Sequence, residues 1–278
     1  MIKDHRTTSH SPLGEVRAYP TEYDPGLLFP IPRIKARADL GIEGGLSFHG
    51  EDIWNAYEVS WLLPNGVPCA RIATLRFACT SPNMIESKSL KLYLNSINNV
   101  EFRSDAHAAD TIATDLSAVA GAPVTVDLVR PSLSMGPDTS AWDAWCIDDP
   151  TVKITEYERD ASLLEIDEGG DQVGATVYSN LLRTCCPVTG QPDWASILIR
   201  YNGPWIKHKA LLRYLVSFRN HSDYHEHCVE RIFCDLKVRC RTRRLSVYAR
   251  YTRRGGLDIN PFRSDFESTP PNIRLERQ

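Results

Sequence analysis

The run Cys186-Pro187-Val188-Thr189-Gly190-Gln191-Pro192-Asp193-Trp194 sets a soft nucleophile and a carboxylic acid at either end of a short loop stiffened by prolines. A thiol and a proton source held this close suit covalent chemistry on an electrophilic carbon. A free thiol is only slightly ionised at neutral pH, so Cys186 needs a nearby acceptor or positive charge. His225 supplies one if the helix start that carries it folds onto the loop. Taken alone, Cys186 beside Cys185 reads as half of a buried pair, and Asp193 as a turn former or cap. The polar, constrained loop between them is an unfavourable seat for a structural thiol, which favours the chemical reading.

Other reactive types are less ordered. Cys69, Cys79 and Cys146 are scattered, Cys185 and Cys186 are adjacent, and Cys228, Cys234 and Cys240 are too far apart for a usual zinc set, so no metal site is expected. The basic run Lys237, Arg239, Arg241, Arg243, Arg244, Arg250, Arg253 and Arg254 invites a nucleic-acid reading, but a net charge of -3 opposes it. A phosphate-bearing cofactor at the Arg254-Gly255 turn needs only part of that run. No Gly-x-Gly-x-x-Gly follows a strand and no Walker motif occurs, so neither a Rossmann domain nor a P-loop is supported.

The elements that must position these residues come from a chain of 278 residues, 42% hydrophobic and 24% charged, which suits a soluble globular protein of about two domains. No apolar run is long enough to span a membrane, and the polar start Met1-Ile2-Lys3-Asp4-His5-Arg6 lacks a signal peptide's apolar segment, so a cytoplasmic protein with reduced cysteines is expected. Residues 1–45, rich in proline, read as an extended arm. An acidic connector over 148–171 separates a first module, 46–147, from a second, 172–278.

The two modules are related. Ile85-x-x-Lys88-x-Leu90-x-x-Tyr93-Leu94-x-Ser96 recurs as Ile206-x-x-Lys209-x-Leu211-x-x-Tyr214-Leu215-x-Ser217, offset by 121 positions throughout. In both, the apolar spacing i, i+3, i+4, i+7 predicts an amphipathic helix. Each helix follows a strand-like run, 70–79 and 196–201. A further helix is expected over 223–239 with Ser222 as N-cap, then a strand alternating over Leu245–Tyr251 and a turn at Arg253–Gly256. Antiparallel sheets with helices on one face make the protein α+β with an internal duplication. Glu86 opens the first repeat helix, where an acid is at home. Lys207 holds the equivalent place in the second half, so Glu86 reads as chosen for a ligand's ring N–H and amino groups.

Together these residues resemble the NADPH-dependent nitrile reductases that convert 7-cyano-7-deazaguanine to 7-aminomethyl-7-deazaguanine for queuosine in tRNA, in their long two-module form. The resemblance covers almost the whole chain. It includes Phe48-His49-Gly50-x-Asp52-Ile53-Trp54, the stretch Ile85 to Ser96, His225-Glu226-x-Cys228-Val229-Glu230-Arg231-Ile232 and Tyr248 to Gly256. It implies the tunnelling fold in two tandem modules, NADPH as the cofactor, a homodimer, and no nucleic acid or membrane partner. It also implies roles. Cys186 would form a covalent thioimide, with Asp193 as the acid that protonates the nitrile nitrogen and His225 beside them. Ile85, Glu86, Ser87, Tyr224, His225 and Glu226 would bind the deazaguanine, and Ser87, Lys88, Arg254 and Gly255 would contact NADPH. Tyr224 stands where the family often has Phe, still an aromatic able to stack on the base. Other readings on the same residues are a cyclohydrolase-type pterin or purine enzyme, for which no zinc ligand set can be assembled, a thiol hydrolase of nitriles, and a purine-binding module without catalysis.

Overall fold

The computed structural model describes residues 20–42, 45–131 and 142–278. Of the expected arm, residues 1–19 and 43–44 lie outside the described residues, as do 132–141 of the expected first module. In chain order the elements are β1 (Pro30–Pro32), α1 (Arg33–Ala38), β2 (His49–Leu62), β3 (Pro68–Ala78), β4 (Asn83–Ile85), α2 (Ser87–Ser96), α3 (Asp105–Ala120), β5 (Val124–Val129) and β6 (Trp145–Cys146), then β7 (Gln172–Cys185), β8 (Pro192–Pro204), α4 (His208–Ser217), α5 (His225–Cys240), β9 (Arg244–Tyr251) and β10 (Leu257–Ser264). The protein is α+β, as its sequence implies.

The chain divides into two compact units. One takes residues up to Arg33 with Ala56–Phe77 and Ser81–Pro131; the other takes Ile34–Asn55, Ala78–Thr80 and Ser132–Gln278. In the first, β5 pairs antiparallel with β3, and β1 with β4. Helix α2 buries Leu90, Tyr93 and Leu94, the stripe its spacing predicts. Helix α3 is started by Ser104, whose hydroxyl accepts from the His107 N–H at 3.1 Å, and stopped by Gly121 in the left-handed region at φ 71.

In the second unit the strands run β10-β9-β8-β7-β6 beside the first half of β2. Alternation sends Leu245, Val247, Ala249 and Tyr251 of β9, with Ile197, Ile199 and Tyr201 of β8, to one face. There they meet Leu211 and Leu215 of α4 and Val229, Ile232, Phe233 and Leu236 of α5 in a common core. A charged cluster lies under these elements: Arg263, fully buried, bonds Asp52 at 2.7 Å and Glu230 at 2.9 Å, and Arg37 bonds Glu230 at 2.7 Å. Each charge is matched, which a buried ion requires.

Two boundaries differ from expectation. Strand β8 begins at Pro192 rather than at 196, so Asp193 belongs to the strand. Helix α5 begins at His225, without a side-chain cap, rather than at Asp223 behind a Ser222 cap. A parallel bridge between Cys185 and Ser222, with Cys185 N–H donating to His221 O at 2.8 Å and Asp223 N–H to Cys185 O at 3.2 Å, holds residues 221–223 extended along the end of β7. With the chain still extended at 223, Ser222 cannot be the cap, and the helix starts two residues later behind Tyr224.

The internal repeat is kept in atomic detail. Helices α2 and α4 stand at the 121-residue offset from first to last residue. Tyr93 donates to Asp115 at 2.6 Å, and Tyr214 to Asp235 at 2.6 Å. Ser96 and Ser217 donate back to the carbonyls of those tyrosines at 2.6 and 2.7 Å. Upstream, Asp24 and Asp160 each cap a one-turn 3-10 helix, and the chains that follow pair alike, Pro30 with Ile85 and Ile166 with Ile206. The acidic stretch 148–171 is thus more than a tether, since its residues 160–166 repeat the packing of 24–30.

Candidate active site

Strands β7 and β8 form a hairpin in register Thr184 to Asp193 and Cys185 to Pro192, closed by residues 186–191. Cys186 N–H donates to Gln191 O at 2.8 Å and Gly190 N–H to Cys186 O at 2.9 Å. Gly190 sits at φ 68, a left-handed conformation that only glycine adopts without strain. Proline at 187 and 192 fixes φ on either side of the turn. The tight loop leaves Cys186 half-buried at its entrance and Asp193 buried as the second residue of β8.

Burial alone pushes the Cys186 thiol up. Hydrogen bonds from the Thr189 hydroxyl, from the backbone N–H groups of Thr189 and Val188, and from Arg254 outweigh it and hold the thiol below the ordinary cysteine value. The contrast with other cysteines is sharp. Burial pushes Cys228 well above that value, Cys234 up to about 11 and Cys240 up to about 12. A low-pKa thiol in reach of solvent is the one that reacts.

Two further elements close on the hairpin. The bridge between Cys185 and Ser222 brings the start of α5 to it, and His225 Nε2 stands 3.2 Å from Asp193 Oδ2. This is ion-pair distance, although the nitrogen is not aligned for a hydrogen bond. The His225 ring stacks on Tyr251, centroids 3.8 Å apart, which fixes its orientation. From the other side comes the β9–β10 turn, where Gly255 and Gly256 take φ 58 and 75. Arg254 at its corner reaches Asp193 Oδ1 at 3.2 Å and donates to Gln191 Oε1 at 2.7 Å. Glu226 and Tyr224 flank His225 at the helix start, Glu226 buried.

The second unit therefore brings together Cys186, Asp193, His225, Arg254 and Gly255, with Tyr224 and Glu226 alongside. Ile85, Glu86, Ser87 and Lys88 form a separate cluster in the first unit. Ile85 ends β4, and Glu86 is the N-cap of α2, its two carboxylate oxygens accepting from Lys88 N–H at 2.8 Å and Ser89 N–H at 2.7 Å. Burial pushes the Glu86 carboxyl above the ordinary glutamate value, against the pull of those N–H groups and of Lys91 and Lys88. Lys207, its counterpart at α4, makes no side-chain cap. Sequence reasoning had not given roles to Thr189, Gln191 or Tyr251. The period-2 alternation of β9 put Tyr251 on the helix face and could have paired it with His225.

Among the described residues no three His, Cys, Asp or Glu side chains converge as metal ligands, and no helix is long and apolar enough to cross a membrane.

The chain is similar to known proteins. Residues 19–128 match the family described as "Nitrile reductase, 7-cyano-7-deazaguanine-reductase N-term", and residues 192–269 match one described as "QueF-like protein". An NADPH-dependent 7-cyano-7-deazaguanine reductase of Bordetella pertussis is 51% identical over 97% of this chain and 99% of its own. One of Burkholderia lata is 50% identical over 97% of this chain and 98% of its own. The solved apo structure of the archaeosine synthase QueF-Like aligns with 36% of this chain and 99% of its own at 13% identity and a TM-score of 0.30, too low to bear on the fold.

Proposed function

The chain belongs to the family of NADPH-dependent 7-cyano-7-deazaguanine reductases, and on that footing we propose how its own residues carry the reaction. It is an oxidoreductase that reduces the nitrile of 7-cyano-7-deazaguanine to 7-aminomethyl-7-deazaguanine, a step toward queuosine. Cys186 is the nucleophile. Its sulfur lone pair forms a bond to the nitrile carbon, one π pair of the nitrile moves to nitrogen, and nitrogen takes a proton from Asp193. The proton that leaves the thiol replaces the one Asp193 gives, so the thioimide forms without an outside acid. His225, 3.2 Å from Asp193 and stacked on Tyr251, keeps that carboxyl in place.

NADPH, when bound, supplies hydride to the carbon of the C=N bond, twice per nitrile. Its phosphates fit the residues present: the Arg254 guanidinium stands at a turn whose two glycines place no side chain beside it, and Lys88 lies at the start of α2. Between the two reductions Cys186 would leave as the anion its hydrogen bonds favour, and Asp193 would be the acid that returns a proton to nitrogen.

Glu86 and Glu226 suit the donor edge of a guanine-like ring, since carboxylate oxygens accept from N–H and amino groups. Tyr224 suits its face, and Ile85 and Ser87 lie beside Glu86. The kept repeat supports two tandem tunnelling-fold modules over 46–147 and 172–278, and open sheet edges favour a homodimer. A cytoplasmic place suits the substrate and cofactor. The observation that carries this reading is the convergence of a thiol of lowered pKa with Asp193, His225 and Arg254 on one hairpin.

The reaction balances only with two reductants. Titrating limiting 7-cyano-7-deazaguanine against excess NADPH, followed by loss of cofactor absorbance, is expected to consume two NADPH per nitrile. A ratio of zero with release of a carboxylic acid would make the protein a thiol hydrolase instead.

A further inference from the structure

The sheet of the second unit is braced from the face opposite its helices. Alternation along β9 turns Tyr251 toward α5 and Arg250 away from it. Residues 265–278 run over that far face, where Glu267 accepts from Arg200 of β8 at 2.6 Å and Asn272 from Arg250 at 2.8 Å. Arg277 then donates to Asn180 O of β7 at 2.6 Å. Gln278, buried, donates through Nε2 to Tyr251 O of β9 at 2.9 Å and to Asn260 Oδ1 of β10 at 2.8 Å. Adjacent residues thus grip the two strands on either side of β8, the strand that carries Asp193.

A side-chain amide offers two N–H donors and two oxygen lone pairs, and Gln278 uses all four. Its Oε1 accepts from Arg250 Nε at 2.9 Å and from Leu275 N–H at 3.2 Å. Both of those partners only donate, and Tyr251 O only accepts, which fixes the orientation of the amide. Tyr251 is also where this strand reaches the site. Its ring stacks on His225, centroids 3.8 Å and planes 25° apart, and His225 Nε2 stands 3.2 Å from Asp193 Oδ2. One residue on, Thr252 N–H donates to Trp194 O at 2.8 Å, so the same strand end is joined to the neighbour of Asp193.

We propose that Gln278 is a positioning residue for the reaction: from the far face of the sheet it holds the end of β9, so that the Tyr251 ring keeps His225 against Asp193. It touches no reacting group. Its effect on rate rests on the reading of Asp193 as the acid, whereas its effect on the placement of His225 does not.

Two full-length variants test this. Gln278→Glu keeps the size and both bonds accepted by Oε1, but sets a carboxylate oxygen against Tyr251 O in place of an N–H. Gln278→Ala removes all four bonds. In protein carrying 13C-labelled histidine, the ring signals of His225 are assigned by their loss in His225→Gln. The face of Tyr251 shields them, so they are expected upfield in the parent and should lose about half or more of that shift in both variants, while those of His107 and His208 stay. The single-turnover rate with 7-cyano-7-deazaguanine and NADPH should fall about tenfold in both, because displacing a positioned group slows the chemistry. Unmoved His225 signals in Gln278→Glu overturn the proposal, as does a parental rate once they have moved, or a shift of all histidine signals together. The signals need no nitrile, so a parent that reduces none counts against the reductase reading, and unmoved signals beside an active parent count against Gln278 alone.

Discussion

At the scale of residues, the proposed site divides labour between a thiol of lowered pKa and a proton carrier. Thr189, two N–H groups and Arg254 face Cys186, while His225 and Arg254 flank Asp193 on its two oxygens. An asparagine at 193 keeps the shape and the contact with Arg254 but delivers no proton. Asp193→Asn is therefore expected to slow the single-turnover reduction about 10²- to 10⁴-fold, with affinity for the deazaguanine changed little. A large loss of affinity with the rate intact would move Asp193 from proton transfer to binding. That Cys186 and Asp193 lie at one tight loop was legible in the sequence because prolines bracket the stretch between them. Thr189 was not, because a threonine in a turn is ordinary and its partner is defined only once the Gly190 conformation folds the loop back. Arg254 reads from the sequence as a candidate phosphate ligand, and its ion pair with Asp193 was hidden because 61 residues of chain separate them.

At the scale of elements, α5 is placed by what prevents it from starting earlier. The Cys185–Ser222 bridge keeps 221–223 extended, and Asp223 then takes the Tyr224 N–H at 2.8 Å and His227 Nδ1 at 3.1 Å. Burial alone would raise the Asp223 carboxyl, but bonds from His221, His227 and the Tyr224 backbone outweigh it and hold it far below the usual carboxylate range. An acid depressed in the fold contributes stability fully present above its unfolded pKa of about 4, lost as pH falls through the lower folded value. Asp223→Asn should accordingly destabilise the protein by about 2 kcal/mol at pH 7. In urea unfolding the gap from the parent should narrow below about pH 4. A gap constant with pH would mean that Asp223 acts by shape alone. The amphipathic stripes of α2 and α4 and the alternation of β9 were plain in the sequence, since local spacing dictates which face is buried. The start of α5 was not, because Ser222 makes a sound N-cap locally and is overruled by a strand end 37 residues upstream.

At the scale of the whole molecule, the duplication explains both economy and asymmetry. Matching caps, tyrosine–aspartate bonds and loop closures recur in both halves. The candidate chemistry does not recur: Lys207 holds the place of Glu86, and Leu63, which bonds Val67 as Cys186 bonds Gln191, holds the place of Cys186 in the other hairpin. The shared bonds shape both halves, and the proposed roles fall on the few positions that have diverged. One chain should accordingly offer one covalent site. Intact-protein mass after adding 7-cyano-7-deazaguanine without NADPH tests this most directly, on the parent and on Cys186→Ala. The parent should gain the mass of one nitrile per chain and Cys186→Ala none. No adduct on the parent with tight binding retained, or an undiminished adduct on Cys186→Ala, would contradict Cys186 as the nucleophile.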